Sequence, residues 1–335
     1  MLQYLIILLD RTSTSFCSLT PCPKPHPLTP FPKGEGEACG RGERTLIPLE
    51  TLKQGIRFGM MENLMIQYVY PDYELPAKYA EVIESIDHSK IKPASPLTPL
   101  RGEGNDADVW VTESIKDIKA DVPVVWRTDK QSLFDNDADI IKALENVPRL
   151  NIVLMDVETF TDEDYTAYKS LLEKLSKTIE QMYVEGKSPQ LNLLTDRMML
   201  QKMNNCGAGD TTITLAPNGK FYVCPAFYYE DEKDCIGDLE HGLDIKNKQL
   251  YKLEYAPICR HCDAYQCKRC VWLNRKMTLE VNTPSHEQCV LAHLERNASR
   301  TLLQNIRKHG TFLPEQEEIK EIDYLDPFDK RDEWQ

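Results

Sequence analysis

The chain has 335 residues, enough for one large and one small domain with separate cores. With 41% hydrophobic and 28% charged residues it has an ordinary globular composition. A formal net charge of −13 lacks the basic surplus needed to neutralise phosphates, which argues against a nucleic-acid partner.

The chain opens on an apolar run from Met1 to Leu9, ended by Asp10. The run has neither a basic start nor a small-residue cleavage site, so it reads as a strand and not as a signal peptide. No later stretch approaches the roughly 20 apolar residues of a membrane span. No membrane partner is therefore expected, and a cytoplasmic setting is.

Residues 21–44 and 93–106 break the pattern. Pro27-Leu-Thr-Pro-Phe-Pro-Lys-Gly-Glu-Gly36 recurs in near copy as Pro96-Leu-Thr-Pro-Leu-Arg-Gly-Glu-Gly104. The spacing is too long, and the apolar content too low, for stacked repeats. Both segments read as insertions in surface loops, which accept extra length at small entropic cost. Cys22 and Cys39 lie in the first and are set aside as ligands.

Around these segments, apolar runs of strand length recur at Tyr4–Leu9, Leu64–Tyr70, Asp108–Val111, Val122–Trp126, Asn151–Met155 and Leu191–Leu194. Near-continuous Val, Ile and Leu predict parallel strands buried on both faces. Helical patterns fall between them at Leu46–Arg57, Pro76–Asp87, Ala138–Glu145 and Asp162–Val184. Thr161-Asp-Glu-Asp164 is a capping box for the last of these, and Gly186 lies where a helix commonly ends. Tyr165, Tyr168, Leu172, Leu175, Ile179 and Met182 form its buried stripe. The expected fold class over 1–195 is α/β, six strands alternating with helices. Ligand sites of parallel sheets lie at the carboxyl ends of strands, which puts forward Asp10, Cys17, Asp72, Arg127, Asp156, Glu158 and Asp196. Each reads equally well as a loop charge or a helix cap.

From 196 to 310 the grammar changes. Thr211–Leu215 and Lys220–Cys224 are β-type runs joined by a loop ending in Asn218-Gly219, a hairpin turn signal. Ser285-His-Glu-Gln288 opens a helix that runs to about Lys308. Eight of the eleven cysteines gather here: Cys206, Cys224, Cys235, Cys259, Cys262, Cys267, Cys270 and Cys289. Pairs two residues apart, Cys259/Cys262 and Cys267/Cys270, are the ligand spacing of zinc sites and iron–sulfur clusters. Disulfides are the weaker reading, because no oxidising compartment is evident. Lys268, Arg269 and Arg275 make the loop locally basic, and 311–335 reads as an acidic, solvated tail.

The pattern Cys206, Gly219-x4-Cys224, Cys259-x2-Cys262-x4-Cys267-x2-Cys270 and Cys289 resembles the SPASM domain of peptide-modifying radical SAM enzymes. The order and number of cysteines agree with that family, while two central gaps are each one residue shorter. The resemblance implies two auxiliary [4Fe–4S] clusters. By position Cys206, Cys224 and Cys270 would hold one, with Cys235 as a fourth ligand or an iron left open to a substrate thiolate. Cys259, Cys262, Cys267 and Cys289 would hold the other. It also implies that 1–195 is a (β/α)6 partial barrel followed by a small cysteine-rich SPASM-like domain. That family binds its SAM-cleaving cluster with C-x3-C-x2-C after the first strand, where this chain offers Cys17 alone, so SAM binding is not expected. As a whole the chain resembles the CXXX repeat peptide maturase group. The resemblance implies an accessory or maturase role on a ribosomally made precursor peptide, alone or beside a separate radical SAM enzyme. Whether the chain is itself an enzyme stays open.

A zinc-stabilised binding module is the alternative, with Cys259, Cys262, Cys267 and Cys270 closing one tetrahedral site. No G-x-G-x-x-G or G-x4-G-K-[ST] phosphate cradle is present, which leaves little room for a nucleotide-dependent oxidoreductase.

Overall fold

A computed structural model describes residues 1–17, 44–94 and 106–328. The two expected insertions lie outside the described residues apart from their margins, and so do Cys22 and Cys39. In chain order the elements begin β1 (Tyr4–Leu8), α1 (Leu49–Met61), β2 (Met65–Val69), α2 (Ala77–Ile83), β3 (Ser89–Pro93) and β4 (Val109–Thr112). Then come β5 (Val124–Thr128), α3 (Lys130–Asp135), α4 (Asp137–Asn146), β6 (Leu150–Leu154), α5 (Asp162–Val184) and α6 (Thr195–Met199). The remainder are β7 (Thr212–Leu215), β8 (Phe221–Tyr222), α7 (Pro225–Glu230), β9 (Gly237–Asp238), β10 (Gly242–Leu243), α8 (Val271–Thr278) and α9 (His286–Lys308). These elements form two compact units. The described residues of the first are 1–17, 44–94, 106–111 and 208–249; those of the second are 112–207 and 250–328.

In the first unit β1 is the centre of a sheet. It pairs in parallel with β2 on one side and β7 on the other, so that Leu5 lies opposite both Ile66 and Ile213. Parallel β3 and β4 extend the β2 side, and β8 returns antiparallel along β7. Leu5, Ile7 and Leu8 have no exposed surface, as a strand covered on both faces requires. Helix α1 approaches closely through glycine. A Cβ on Gly55 would stand 2.3 Å from Leu215 Cδ2, and one on Gly59 would stand 2.8 Å from Ile66 Cδ1. The run Thr212–Leu215, expected to open a separate cysteine-rich domain, is instead the parallel neighbour of the first strand.

Strand β3 has no counterpart among the expected strands. Its Ser-Lys-Ile-Lys-Pro buries Ile91 as its one apolar side chain, so it carries no apolar run. Lys90 is held by Glu84 at 2.5 Å and Asp106 at 3.0 Å, and Lys92 also meets Asp106. Ion pairs supply here what hydrophobic patterning supplies elsewhere.

In the second unit β5 and β6 pair in parallel over their full lengths. Helix α5 starts at the expected capping box, with Thr161 accepting from the Asp164 N–H, and it packs along α9. Gly186, at φ +80°, ends it as expected. Leu191–Leu194 does not form the sixth strand. Leu191 alone bridges to Leu150, and the chain turns into α6 at Thr195. The segment after α9 is not a solvated tail as far as it is described. Ile319 and Asp326 are 1% and 2% exposed, and Gln316 Nε2 donates to the Leu200 carbonyl at 3.0 Å. Among the described residues no helix is long and apolar enough to cross a membrane.

Candidate metal centre

None of the nine described cysteines forms a disulfide. Cys224 and Cys235 belong to the first unit; Cys206, Cys259, Cys262, Cys267, Cys270 and Cys289 belong to the second. Cys224 sits at the N-cap of α7, buried, while Cys206 and Cys235 are exposed.

Local backbone shapes the central loop. Cys259 starts a short 3-10 turn in which the Cys262 N–H donates to the Cys259 carbonyl at 3.1 Å. Two amides then point at sulfur: Ala264 N–H donates to Cys262 Sγ and Arg269 N–H to Cys267 Sγ, each at 3.4 Å. Arg269 adopts φ +42°, an uncommon conformation for a non-glycine residue, and its backbone amide is the one turned to Cys267. Cys270 is the N-cap of α8. Amide-to-sulfur bonds favour thiolate over thiol, which suits a metal-ligating loop.

Cys289, on the first turn of α9, joins this loop. Burial pushes the thiols of Cys259, Cys262, Cys267 and Cys289 above the usual cysteine value, Cys259 up to about 11. Beyond burial, Cys289 feels Cys267, Cys259 and Cys262, and Cys267 feels Cys259 and Cys262. The four sulfurs are therefore electrostatic neighbours. Among the described residues no three His, Cys, Asp or Glu side chains gather as tightly as a single metal ion needs. A tetrahedral ion with 2.3 Å bonds to sulfur would bring its ligands to about 3.8 Å of one another.

Side chains that the cysteine spacing did not reveal complete the site. His293 is 3% exposed, with Nε2 at 3.5 Å from Cys262 Sγ. Its Nδ1 contacts the Leu325 carbonyl, which can only accept, so Nδ1 carries the proton. Asp263 accepts from Arg296 Nε at 2.9 Å and Nη2 at 2.8 Å, and from Arg197 Nη2 at 3.2 Å. Burial pushes the Asp263 carboxyl up, but the two guanidiniums outweigh it and hold it below the usual range. Glu295 accepts from Tyr168 Oη at 2.7 Å and Gln266 Nε2 at 3.3 Å; burial raises its carboxyl to about 7. One signal was available in the sequence. Cys289, His293 and Arg296 stand at i, i+4 and i+7, on one face of a helix. His261, in the same short turn as Cys259, is exposed.

Five of the strand-end candidates have contacts within the fold. Asp10 is fully buried. Its Oδ1 takes the Thr12 N–H and hydroxyl, both at 2.7 Å, and its Oδ2 takes the Tyr73 hydroxyl at 2.8 Å. Asp156 accepts the Lys130 N–H at 3.1 Å, Glu158 pairs with Lys276 at 2.5 Å, and Asp196 pairs with Arg149 at 2.6 Å. Arg127 is 2% exposed, with Nη2 at 3.6 Å from Met155 Sδ.

No protein-family model matches the chain, and no curated relative matches it. Solved structures do. The chain is similar to native anSMEcpe with bound AdoMet, with a TM-score of 0.58 and 13% identity over 91% of this chain and 99% of that one. It is also similar to native anSMEcpe with bound AdoMet and Cp18Cys peptide, with a TM-score of 0.61 and 12% identity over 92% and 100%. The form with Kp18Cys peptide gives 0.58 and 12% over 91% and 99%. At such identity the likeness shows the fold alone, a mixed α/β architecture with a large parallel sheet, and does not reach the narrower CXXX repeat peptide maturase group.

Proposed function

We propose that the chain is an accessory or degenerate member of a peptide-maturation system and carries auxiliary [4Fe–4S] clusters. On this reading residues 1–195 are the radical-SAM-like part and 196–310 the cluster-bearing part. The observation that carries it is the set Cys259, Cys262, Cys267 and Cys289, two buried and two half-buried thiols drawn from one loop and one helix into electrostatic reach of one another. They would hold one cluster. The sequence resemblance alone puts forward Cys206, Cys224 and Cys270 for a second, with Cys235 or a substrate thiolate at the fourth iron. Clusters in such sites supply one-electron transfer or an iron open to a thiolate ligand. The chain's own residues bury the thiols, aim amides at two of them and surround them with cationic side chains.

A peptide partner is supported by the fold-level likeness to structures that hold bound peptides. Kinship with the CXXX repeat group is proposed on the resemblance of the sequence as a whole. A separate radical SAM enzyme is proposed for the SAM chemistry. Counting back from Cys17, the other positions of a C-x3-C-x2-C spacing are Thr14 and Asp10, and the Asp10 carboxylate is already engaged by Thr12 and Tyr73. The test is anaerobic reconstitution with iron and sulfide, followed by SAM and dithionite. The accessory reading expects no 5′-deoxyadenosine; its formation by this chain alone would overturn that reading.

One observation favours the zinc alternative, a peptide- or protein-binding module without redox activity. Sulfur and nitrogen ligands on one tetrahedral zinc stand roughly 3.5 Å apart, and Cys262 Sγ and His293 Nε2 are separated by 3.5 Å. The same distance serves a thiol–imidazole hydrogen bond, so this reading ranks second.

A further inference from the structure

The Asp263 carboxylate is shared by two guanidiniums, and the charges do not balance. Arg296 has no exposed surface and grips both carboxylate oxygens; its Nη1 is used by Asn297. Arg197 is 5% exposed, adds its Nη2 to the same carboxylate, and lies 4.3 Å over the Tyr265 ring. Its Nε is buried with no hydrogen-bond partner. The acid beside it in sequence, Asp196, is bound to Arg149. Of the other acids beside α9, Glu295 faces Tyr168 and Gln266, and Asp326, 2% exposed, meets the His286 ring. Two buried guanidiniums thus share one carboxylate whose side chain is 32% exposed, with one positive charge left over among the three groups. Such a charge is strongly unfavourable unless another group answers it.

The place of the surplus is fixed by covalent structure. Asp263 directly follows Cys262, so both guanidiniums are held next to that residue. The Cys262 sulfur already receives the Ala264 amide and faces His293. We infer that the missing counter-charge is the Cys262 thiolate in its cluster-bound state. Arg197 and Arg296 are then positioning residues that pin the Cys262–Tyr265 loop and bias the adjacent cluster toward its reduced, more negative form. This inference rests on the cluster reading given above. It follows from Coulomb attraction between a fixed buried cation and a cluster whose negative charge grows on reduction.

The test uses the full chain, reconstituted anaerobically, with iron content measured first and the cluster potentials then followed by an EPR-monitored redox titration. Arg197→Gln keeps a hydrogen-bond donor for Asp263 without the charge, and should lower the potential of one cluster and leave the other unmoved. Arg197→Lys restores the charge and should return the potential towards the wild-type value. Asp263→Asn removes the opposing charge and should shift the same cluster upward. A purely structural clamp would change stability in all three variants without this pattern of signs. Iron-loaded Arg197→Gln and Arg197→Lys proteins with identical potentials would overturn the inference alone. A wild-type chain that takes up no iron would overturn the cluster reading and the inference together.

Discussion

Asn192 lends its side-chain amide to both backbone groups of Ile152: its Oδ1 accepts the Ile152 N–H at 2.8 Å and its Nδ2 donates to the Ile152 carbonyl at 2.9 Å. One side chain thus does what the next residue of a sixth strand would do, on the edge of β6. Asn192→Leu leaves the buried Ile152 N–H unsatisfied, at about 1–3 kcal/mol, while the Ile152 carbonyl keeps Lys268 Nζ at 3.3 Å. A loss of roughly 1–3 kcal/mol in urea unfolding is expected, and a loss under about 0.5 kcal/mol would show that water or a backbone shift replaces the amide.

The close approach of α1 to its sheet depends on Gly55. Its missing Cβ leaves room for Leu215, a fully buried side chain. Gly55→Val should cost roughly 1–3 kcal/mol by overpacking. Gly310, with nothing within 4 Å of a built Cβ, is the control. Gly310→Ala should stay within about 0.5 kcal/mol of wild type. Equal thermal midpoints for the two variants would contradict the packing described.

Glu295 makes stability depend on pH. Its carboxyl, ordinarily near 4.5, is raised by burial to about 7, so the folded chain holds this proton more tightly than the unfolded one. The sign follows from linkage. This group's contribution is fully present below about pH 4.5 and is lost as pH rises to about 7, by roughly 2–3 kcal/mol. Glu295→Gln should flatten that part of a stability-versus-pH curve. An unchanged slope would mean that another group carries it.

Much of the fold was readable because burial on two faces leaves an unmistakable apolar run, as at β1, β5 and β6. The capping box at Thr161 and the helix end at Gly186 were readable because local hydrogen bonds dictate them. What escaped was held by interactions that hydrophobic patterning does not encode. Ion pairs of Lys90 and Lys92 build β3, and an amide replaces the sixth strand. The pairing of Thr212–Leu215 with β1 joins residues about 200 positions apart, and no local signal records such a partner. At the candidate site the cysteines were visible by spacing. Arg197, Asp263 and Glu295 were not, because a single buried charge looks like a surface charge until its partners are known.

The ligand partition makes a stoichiometric prediction. Cys289→Ala should remove about four irons per chain, the content of one cluster, and leave the other. Cys22→Ala and Cys39→Ala should remove none. Equal losses in all three variants would contradict the assignment.

The most direct measurement is iron, sulfide and zinc content with a visible spectrum, on the full chain purified anaerobically. Two clusters correspond to about eight irons and eight sulfides per chain with broad visible absorption, which is the result expected. About one zinc per chain, with no iron taken up after reconstitution, would contradict the cluster reading and leave a structural binding module in its place.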